Sequence, residues 1–249
     1  MATVFDKEAV FQRRVNGDVV TRLPTALVPA RAKLEGRFVV LEPQNASKHA
    51  EDLYEAGHTS RESLQIWDYM NYGPWSDIDA YASTLRQQSA SLDTVFYAIR
   101  SKETGRACGQ ASFLDIQAQN GVIEIGHIWF APELQKTRSA TEALFLMLSY
   151  AMDELGYRRM QWRCNAQNVR SRRAAQRLGF RFEGIFYNHL IFKGKNRDTA
   201  WYSILDNEWA DVRALIEGWL SDDNFDTNGE ARSSLHDIMR KRGESAEVL

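Results

Sequence analysis

The residues whose types and spacing best suit chemistry are Gln135-Lys136-Thr137-Arg138-Ser139-Ala140-Thr141-Glu142-Ala143. Before them, Val122–Phe130 is apolar, β-branched and aromatic, the composition of a buried strand. Ala131-Pro132-Glu133 breaks the pattern, because proline offers no backbone donor and restricts the residue before it. From Ser139 to Leu155, Ala140, Ala143, Leu144, Met147, Tyr150 and Ala151 recur at helical spacing. A strand therefore runs through a short polar loop into a helix. The first turn of such a helix presents free backbone N–H groups and the positive end of the dipole, which is chemistry for holding a phosphate.

The rest of the chain must position that loop. Val10–Val15 and Val19–Thr21 flank Asn16-Gly17-Asp18, a hairpin signal, and Leu23–Lys33, with Pro24 and Pro29, reads as an extended connector. This arm could add a strand at a sheet edge, make a dimer contact or lie on the surface. Gly36–Leu41 is the first core strand, and Asn45 caps a helix running to about Ala56. An aromatic stretch from Ile66 to Trp75 precedes a helix from Ser76 or Asp77 to about Ser89. Strands at Thr94–Arg100 and Ala107–Ile116 then lead into Val122 as an antiparallel meander. After the helix, Arg158–Cys164 is a strand joined to the Val122 strand by a parallel crossover. A further helix ends at Leu178-Gly179-Phe180, where Gly179 suits a left-handed cap. Arg181–Phe192 and Asp198–Leu205 are strands around a Lys193–Arg197 hairpin. Glu208–Leu220 is a helix with Trp209, Val212, Ile216 and Trp219 on one side, and the tail beyond Ser221 is polar, with a weak helical pattern around Leu235–Met239.

The loop resembles the pyrophosphate loop of the GNAT superfamily of acetyl-CoA-dependent N-acetyltransferases, Q/R-x-x-G-x-G/A, with Gln135 in the first position and Ala140 in the last. Glu124-Ile125-Gly126 followed by Ala140-Thr141-Glu142-Ala143 is similar to the RimJ/RimL-like branch, which includes the ribosomal-protein alanine acetyltransferases. Arg138 stands at the middle glycine of the pattern and must reach the loop conformation without glycine's tolerance of positive φ. Asn168-x-x-Ser171, Ala174-Ala175 and Leu178-Gly179-Phe180 resemble the segment that binds pantetheine and the 3′-phosphate end of CoA. The resemblance runs from about Leu34 to Asp206. It implies an α/β (α+β) GNAT fold: a mixed, mostly antiparallel central sheet with a splayed parallel strand pair and flanking helices. Residues 1–33 are then an N-terminal arm, 34–206 the acetyltransferase domain, and 207–249 a C-terminal helix and polar tail packed on or near that domain.

The resemblance also implies a site. Acetyl-CoA is the co-substrate, with no metal, and acetyl passes directly to a primary amine in a ternary complex. Its pyrophosphate falls to Gln135, Lys136, Thr137, Arg138, Ser139, Ala140 and Thr141. Pantetheine lies along Ile128, Trp129 and Phe130, whose backbone N–H near Ile128 or Trp129 meets the thioester carbonyl. Asn168 contacts pantetheine and Arg172 and Arg173 the 3′-phosphate, a role that replaces a nucleic-acid reading of Arg170, Arg172, Arg173 and Arg177. Glu124, eleven residues before Gln135, takes the general-base position, acting on the amine through a water. His127 and His189 are alternative bases, although a strand histidine more often packs or faces solvent than acts in catalysis. Ser171 donates to the departing thiolate, since the tyrosine that many members use falls at Ala175. Trp67, Tyr69, Tyr72, Trp75 and His189 fall on the acceptor side, where the aromatics could wall a pocket or serve as core.

Composition bounds these readings. At 249 residues and 44% hydrophobic, the chain can form one large domain or two small ones with a full core. A formal charge of −2 gives no general attraction to nucleic acid or an anionic membrane. No apolar run approaches the roughly 20 residues that span a bilayer, and the first residues lack a signal-peptide layout, so a cytoplasmic protein is expected. Cys108 and Cys164 make neither a disulfide framework nor a metal cluster. The acceptor could be a protein N-terminus, a lysine, a polyamine or a small-molecule amine, and the protein could be a homodimer. Arg138 and Ala175 support a different class, a CoA-binding module with lost or regulatory activity.

Overall fold

The structure, a computed structural model, describes residue 20 and residues 27–246. The hairpin predicted around Asn16-Gly17-Asp18 lies outside the described residues. The described residues form eight strands, β1 (Leu34–Glu35), β2 (Val39–Pro43), β3 (Val95–Ser101), β4 (Ala107–Gln117), β5 (Val122–Phe130), β6 (Arg159–Asn165), β7 (Arg181–Phe192) and β8 (Lys195–Leu205). They form one sheet in the order β1-β2-β3-β4-β5-β6-β8-β7. Every neighbouring pair is antiparallel except β5 and β6, which are parallel.

Helices cover both faces. On one lie α1 (Ala46–His58), the single turn α2 (Arg61–Leu64) with its 3₁₀ continuation Gln65–Tyr69, and α3 (Ile78–Ser89). Asn45 and Asp77 accept from Lys48 N and Ala80 N and so start α1 and α3. Leu53, Trp67, Tyr81, Leu85 and Trp129 pack together there as a second, smaller core. The other face carries α4 (Arg138–Ser149), a π turn at Tyr150–Glu154, α5 (Val169–Arg177), α6 (Asp206–Leu220) and α7 (Leu235–Ala246). Ile123, Ile125, Met147, Met160, Tyr202, Ile204, Val212 and Ile216 build the main core beneath them. No helix among the described residues is long and apolar enough to cross a membrane.

Two expected elements change. Gly36–Phe38 is not strand but the turn between β1 and β2. The buried Glu142 carboxylate accepts from Arg37 N, Phe38 N and Val39 N at 2.7, 2.7 and 2.9 Å, and a Cβ at residue 36 would stand 2.5 Å from that carboxylate. The β7–β8 hairpin is tighter than expected: Lys193 and Gly194, with φ of 47° and 74°, make a two-residue turn, and β8 begins at Lys195. The weak helical pattern around Leu235–Met239 falls within α7, whose Leu235 and Met239 are buried in the main core.

Candidate active site

The sheet opens in its middle. β5 has nine residues and β6 seven, yet they pair only at Val122–Arg159, Ile123–Met160 and Glu124–Gln161. Beyond Glu124 the strands part, and a cleft of about 1680 Å³ fills the gap. On its other side β5 is bulged: Ser112 faces Gly126 and Gln110 faces Trp129, so two steps on β4 meet three on β5. His127, with φ of 49°, carries the bulge.

Glu124 sits at the apex of the cleft and is 4% exposed. Paired strand residues share a face, so the Glu124–Gln161 register puts Arg163 on the same side. Arg163 Nε contacts Glu124 Oε2, and the same guanidinium pairs with Asp115. Burial outweighs the arginine, and with Asp115 adding to it the Glu124 carboxyl is pushed up to about 7. A carboxylate so poised is divided between charged and neutral forms near neutrality, the condition for taking a proton and returning it. His127 lines the same cleft with Nδ1 2.9 Å from Ser112 Oγ, and its ring centroid lies 5.9 Å from that of Tyr72 and 5.0 Å from that of Phe96. Burial lowers its pKa to about 4, which keeps the imidazole neutral at neutral pH.

The loop after β5 is built to present backbone donors. Gln135 Nε2 donates to Phe130 O at 2.9 Å, tying the loop to the strand end. Thr137 caps α4: its Oγ1 accepts from Ala140 N at 3.0 Å and donates to Leu134 O at 2.7 Å. The N–H groups of Arg138 and Ser139, first in the helix, have no intrahelical acceptor. The left-handed residue is Lys136, with φ of 62°, whereas Arg138 is already helical. The missing glycine therefore imposes no strain at Arg138. Its side chain turns from the cleft to bond Leu220 O, pair with Asp222 at 2.9 Å and cover the Phe38 and Phe225 rings. Gln135, Lys136, Thr137 and Ala140 line the cleft, as do Ile128, Trp129 and Phe130, but Arg138, Ser139 and Thr141 do not. Thr141 Oγ1 instead accepts from Arg177 Nη2 at 2.8 Å.

Across the cleft, Asn168 caps α5 by accepting from Ser171 N at 3.1 Å. Ser171 Oγ accepts from Trp162 Nε1 at 3.0 Å, which holds its oxygen, and its hydroxyl is within hydrogen-bond reach of the Cys164 thiol. Asn168, Ser171, Arg173 and Arg177 line the cleft. Arg172 does not: it donates to Tyr202 Oη at 3.0 Å and Ala166 O at 3.2 Å and lies over Phe182. Helical spacing explains the difference, because neighbours on α5 point about 100° apart.

The aromatic stretch divides as well. Tyr69 lines the cleft, with its hydroxyl 3.4 Å from Gln167 O on the opposite wall. Trp67, Tyr72 and Trp75 do not line it and form an aromatic support behind: Trp67 Nε1 donates to Gly57 O at 2.9 Å and its ring meets Trp75 edge-on at 5.1 Å. His189 lines the cleft, held by Thr199 Oγ1 at 3.0 Å from Nδ1, in a β7 bulge where Phe186 faces Thr199 and Leu190 faces Arg197. Lys193 Nζ at the hairpin tip reaches Trp67 O and Gly73 O at 3.2 and 3.3 Å. Sequence reasoning did not select Arg163, Arg197 or His236, all of which line the cleft. Arg163 was within reach of a β5–β6 register argument; His236 depends on where α7 docks and had no signal.

The comparisons agree with this architecture. A family model described as an acetyltransferase (GNAT) domain matches residues 39–181. A Bacillus subtilis (strain 168) protein named "Putative ribosomal N-acetyltransferase YdaF" is 29% identical over 174 residues, covering 68% of this chain and 91% of its own length. An uncharacterized N-acetyltransferase of the same organism, YnaD, is 36% identical over 157 residues, 63% of this chain and 89% of that protein. The crystal structure of a GCN5-related N-acetyltransferase from Brucella melitensis superposes with a TM-score of 0.84 at 40% identity, covering 87% of this chain and 97% of that one. A sheet split at one parallel pair, a capped loop at the mouth of the split and a family match over more than half its length make this chain a member of the GNAT family, an N-acetyltransferase.

Proposed function

We propose that the protein transfers acetyl from acetyl-CoA directly to a primary amine within a ternary complex. The observation that carries the reading is Glu124, buried at the apex of the cleft with its pKa raised to about 7. The cleft suits an anionic ligand rich in amides. Unpaired strand edges of β5 and β6 offer backbone donors and acceptors, and Lys136, Arg173 and Arg177 line the wall beside the free N–H groups that start α4. Acetyl-CoA supplies the activated acyl group as a thioester. Glu124 takes the proton that an ammonium must lose before it can attack, through a water, help worth roughly 10²–10⁴-fold. A backbone N–H of the bulged Ile128–Trp129 segment faces the charge developing on the carbonyl oxygen, a contribution of about 2.7–4 kcal/mol per donor. Ser171, its oxygen fixed by Trp162, donates to the departing sulfur.

The acceptor is read as the α-amine at a protein or peptide N-terminus. The RimJ/RimL resemblance and the name of the YdaF relative lean that way. The Tyr69–Gln167 contact bridges the two walls, which suits a chain that reaches Glu124 end first. Acetyl-CoA-dependent release of free thiol, measured over peptides, amino acids, polyamines and aminoglycosides with calorimetry of acetyl-CoA binding alongside, tests this. Turnover of N-terminal amines is expected. Tight binding with no turnover of any amine would overturn it in favour of a CoA-binding module without transfer activity.

A further inference from the structure

Among the described residues, Arg197 is a cation without an anion. It belongs to β8, faces Leu190 across the hairpin and lines the cleft beside His189 and Thr199. Its Nε is buried with no hydrogen-bond partner, and no described acidic side chain pairs with the guanidinium, which lies 5.5 Å from the Phe192 ring centroid. Burial lowers its pKa, with Glu124 opposing that shift and Arg163 adding to it, so Arg197 stands within electrostatic range of the apex. Arg163 differs, being engaged by both Asp115 and Glu124. A partly desolvated, unpaired guanidinium is costly for the protein alone and is relieved by an incoming anion.

The charges around Glu124 indicate what that anion belongs to. Around Glu124 an arriving ammonium meets Arg163 and Arg197, set against Asp115 and Glu124 itself, while Glu62 and Asp68 also line the cleft. Once Glu124 accepts the proton, the two guanidiniums face one carboxylate, and this group around the apex is left with one excess positive charge. Polyamines and aminoglycosides bring more cations and worsen this balance. We propose that Arg197 binds a carboxylate of the acceptor, so that the preferred acceptors are primary amines carrying a carboxylate a few bonds from the reacting nitrogen. Guanidinium and carboxylate match as a forked pair, which also orients the amine towards Glu124. A free amino acid and a peptide N-terminus with an acidic residue at its second position share this chemistry. The inference rests on the acetyl-transfer reading above.

The test compares matched acceptors on the full chain: Ser-Asp-Gly against Ser-Asn-Gly peptides, and free glutamate against its di-amide, each in the native protein, Arg197→Gln and Arg197→Lys. The native protein should favour the acid over the amide by about 10- to 100-fold in kcat/KM in one of the two arms, the range of a charge-assisted hydrogen bond. The arm that shows the preference identifies the source, peptide or free amino acid. In Arg197→Gln the ratio should fall towards one, and Arg197→Lys should recover part of it. Equal use of acid and amide, or a preference that survives in Arg197→Gln, overturns the subsite while acetyl transfer stands. Failure to acetylate any amine, despite binding acetyl-CoA, overturns both readings.

Discussion

Replacing Glu124 with glutamine should separate catalysis from stability in opposite directions. The folded protein holds this carboxyl at about 7 against an ordinary value of 4.5, chiefly through burial. Its folded pKa lies above its unfolded one, so between those values the native state binds more protons than the unfolded chain, and stability falls as pH rises through the window. A difference of about 2.5 pKa units, at 1.36 kcal/mol each, makes the ionised Glu124 cost the native state about 3 kcal/mol above pH 7. Below about pH 4.5 both states are protonated and that cost vanishes. Glutamine has the shape without the titration, and Asp115 still engages Arg163. Glu124→Gln should therefore abolish this pH-dependent loss, and relative to the native protein it should be most stable near pH 8. Over the same range it should lose about 10²–10⁴-fold in kcat/KM, together with the basic-form limb of the rate profile near pH 7. Urea unfolding at about pH 5 and about pH 8, paired with thiol-release rates across that range, reads both. Parallel stability curves for the two proteins would refute the buried-carboxylate argument, and an unchanged rate profile would remove Glu124 from proton transfer.

Other substitutions test separate parts. Ser171→Ala should lower kcat by about 10²-fold with a smaller change in acetyl-CoA affinity, measured by thiol release and calorimetry. Arg173→Ala should weaken acetyl-CoA binding by about tenfold and flatten its salt dependence. Arg172→Ala should leave binding nearly intact and lower the Tm instead, because Arg172 serves Tyr202 and Ala166 rather than the cleft. Glu142→Ala should cost about 3 kcal/mol or more in chemical denaturation, since it strips the acceptor from three backbone N–H groups at Arg37, Phe38 and Val39.

How far the sequence carries depends on how local each cause is. The change from strand to helical period at Gln135–Ser139 is local, and so are the cap at Asn45 and the helix start at Asp77; these were legible. The turn at Gly36 was not, because its cause is a carboxylate about a hundred residues away at Glu142. The hairpin length follows from two successive left-handed residues, Lys193 and Gly194. Placing Arg197 in the turn hid it, whereas two residues of turn return it to a strand that reaches the cleft. In α5, periodicity places arginines on different faces but cannot say which face meets the cleft, so Arg172 and Arg173 could be told apart only by packing. The same holds for the aromatic stretch: size alone does not separate Tyr69, on the wall, from Trp67 behind it.

The three residue pairs that join β5 to β6 have a mechanical consequence. The sheet is a plate with a notch, and Glu124 sits at the tip of the notch. If the β1–β5 plate rotates against the β6–β8 plate about those pairs, displacement grows with distance from the tip. Phe130 lies six residues beyond Glu124, about 20 Å along a strand. At that distance a rotation of about 5° opens the mouth by about 1.7 Å, while Glu124, on the pivot itself, scarcely moves. Compliance is thereby concentrated where a bulky ligand enters, and stiffness where the proton is handled.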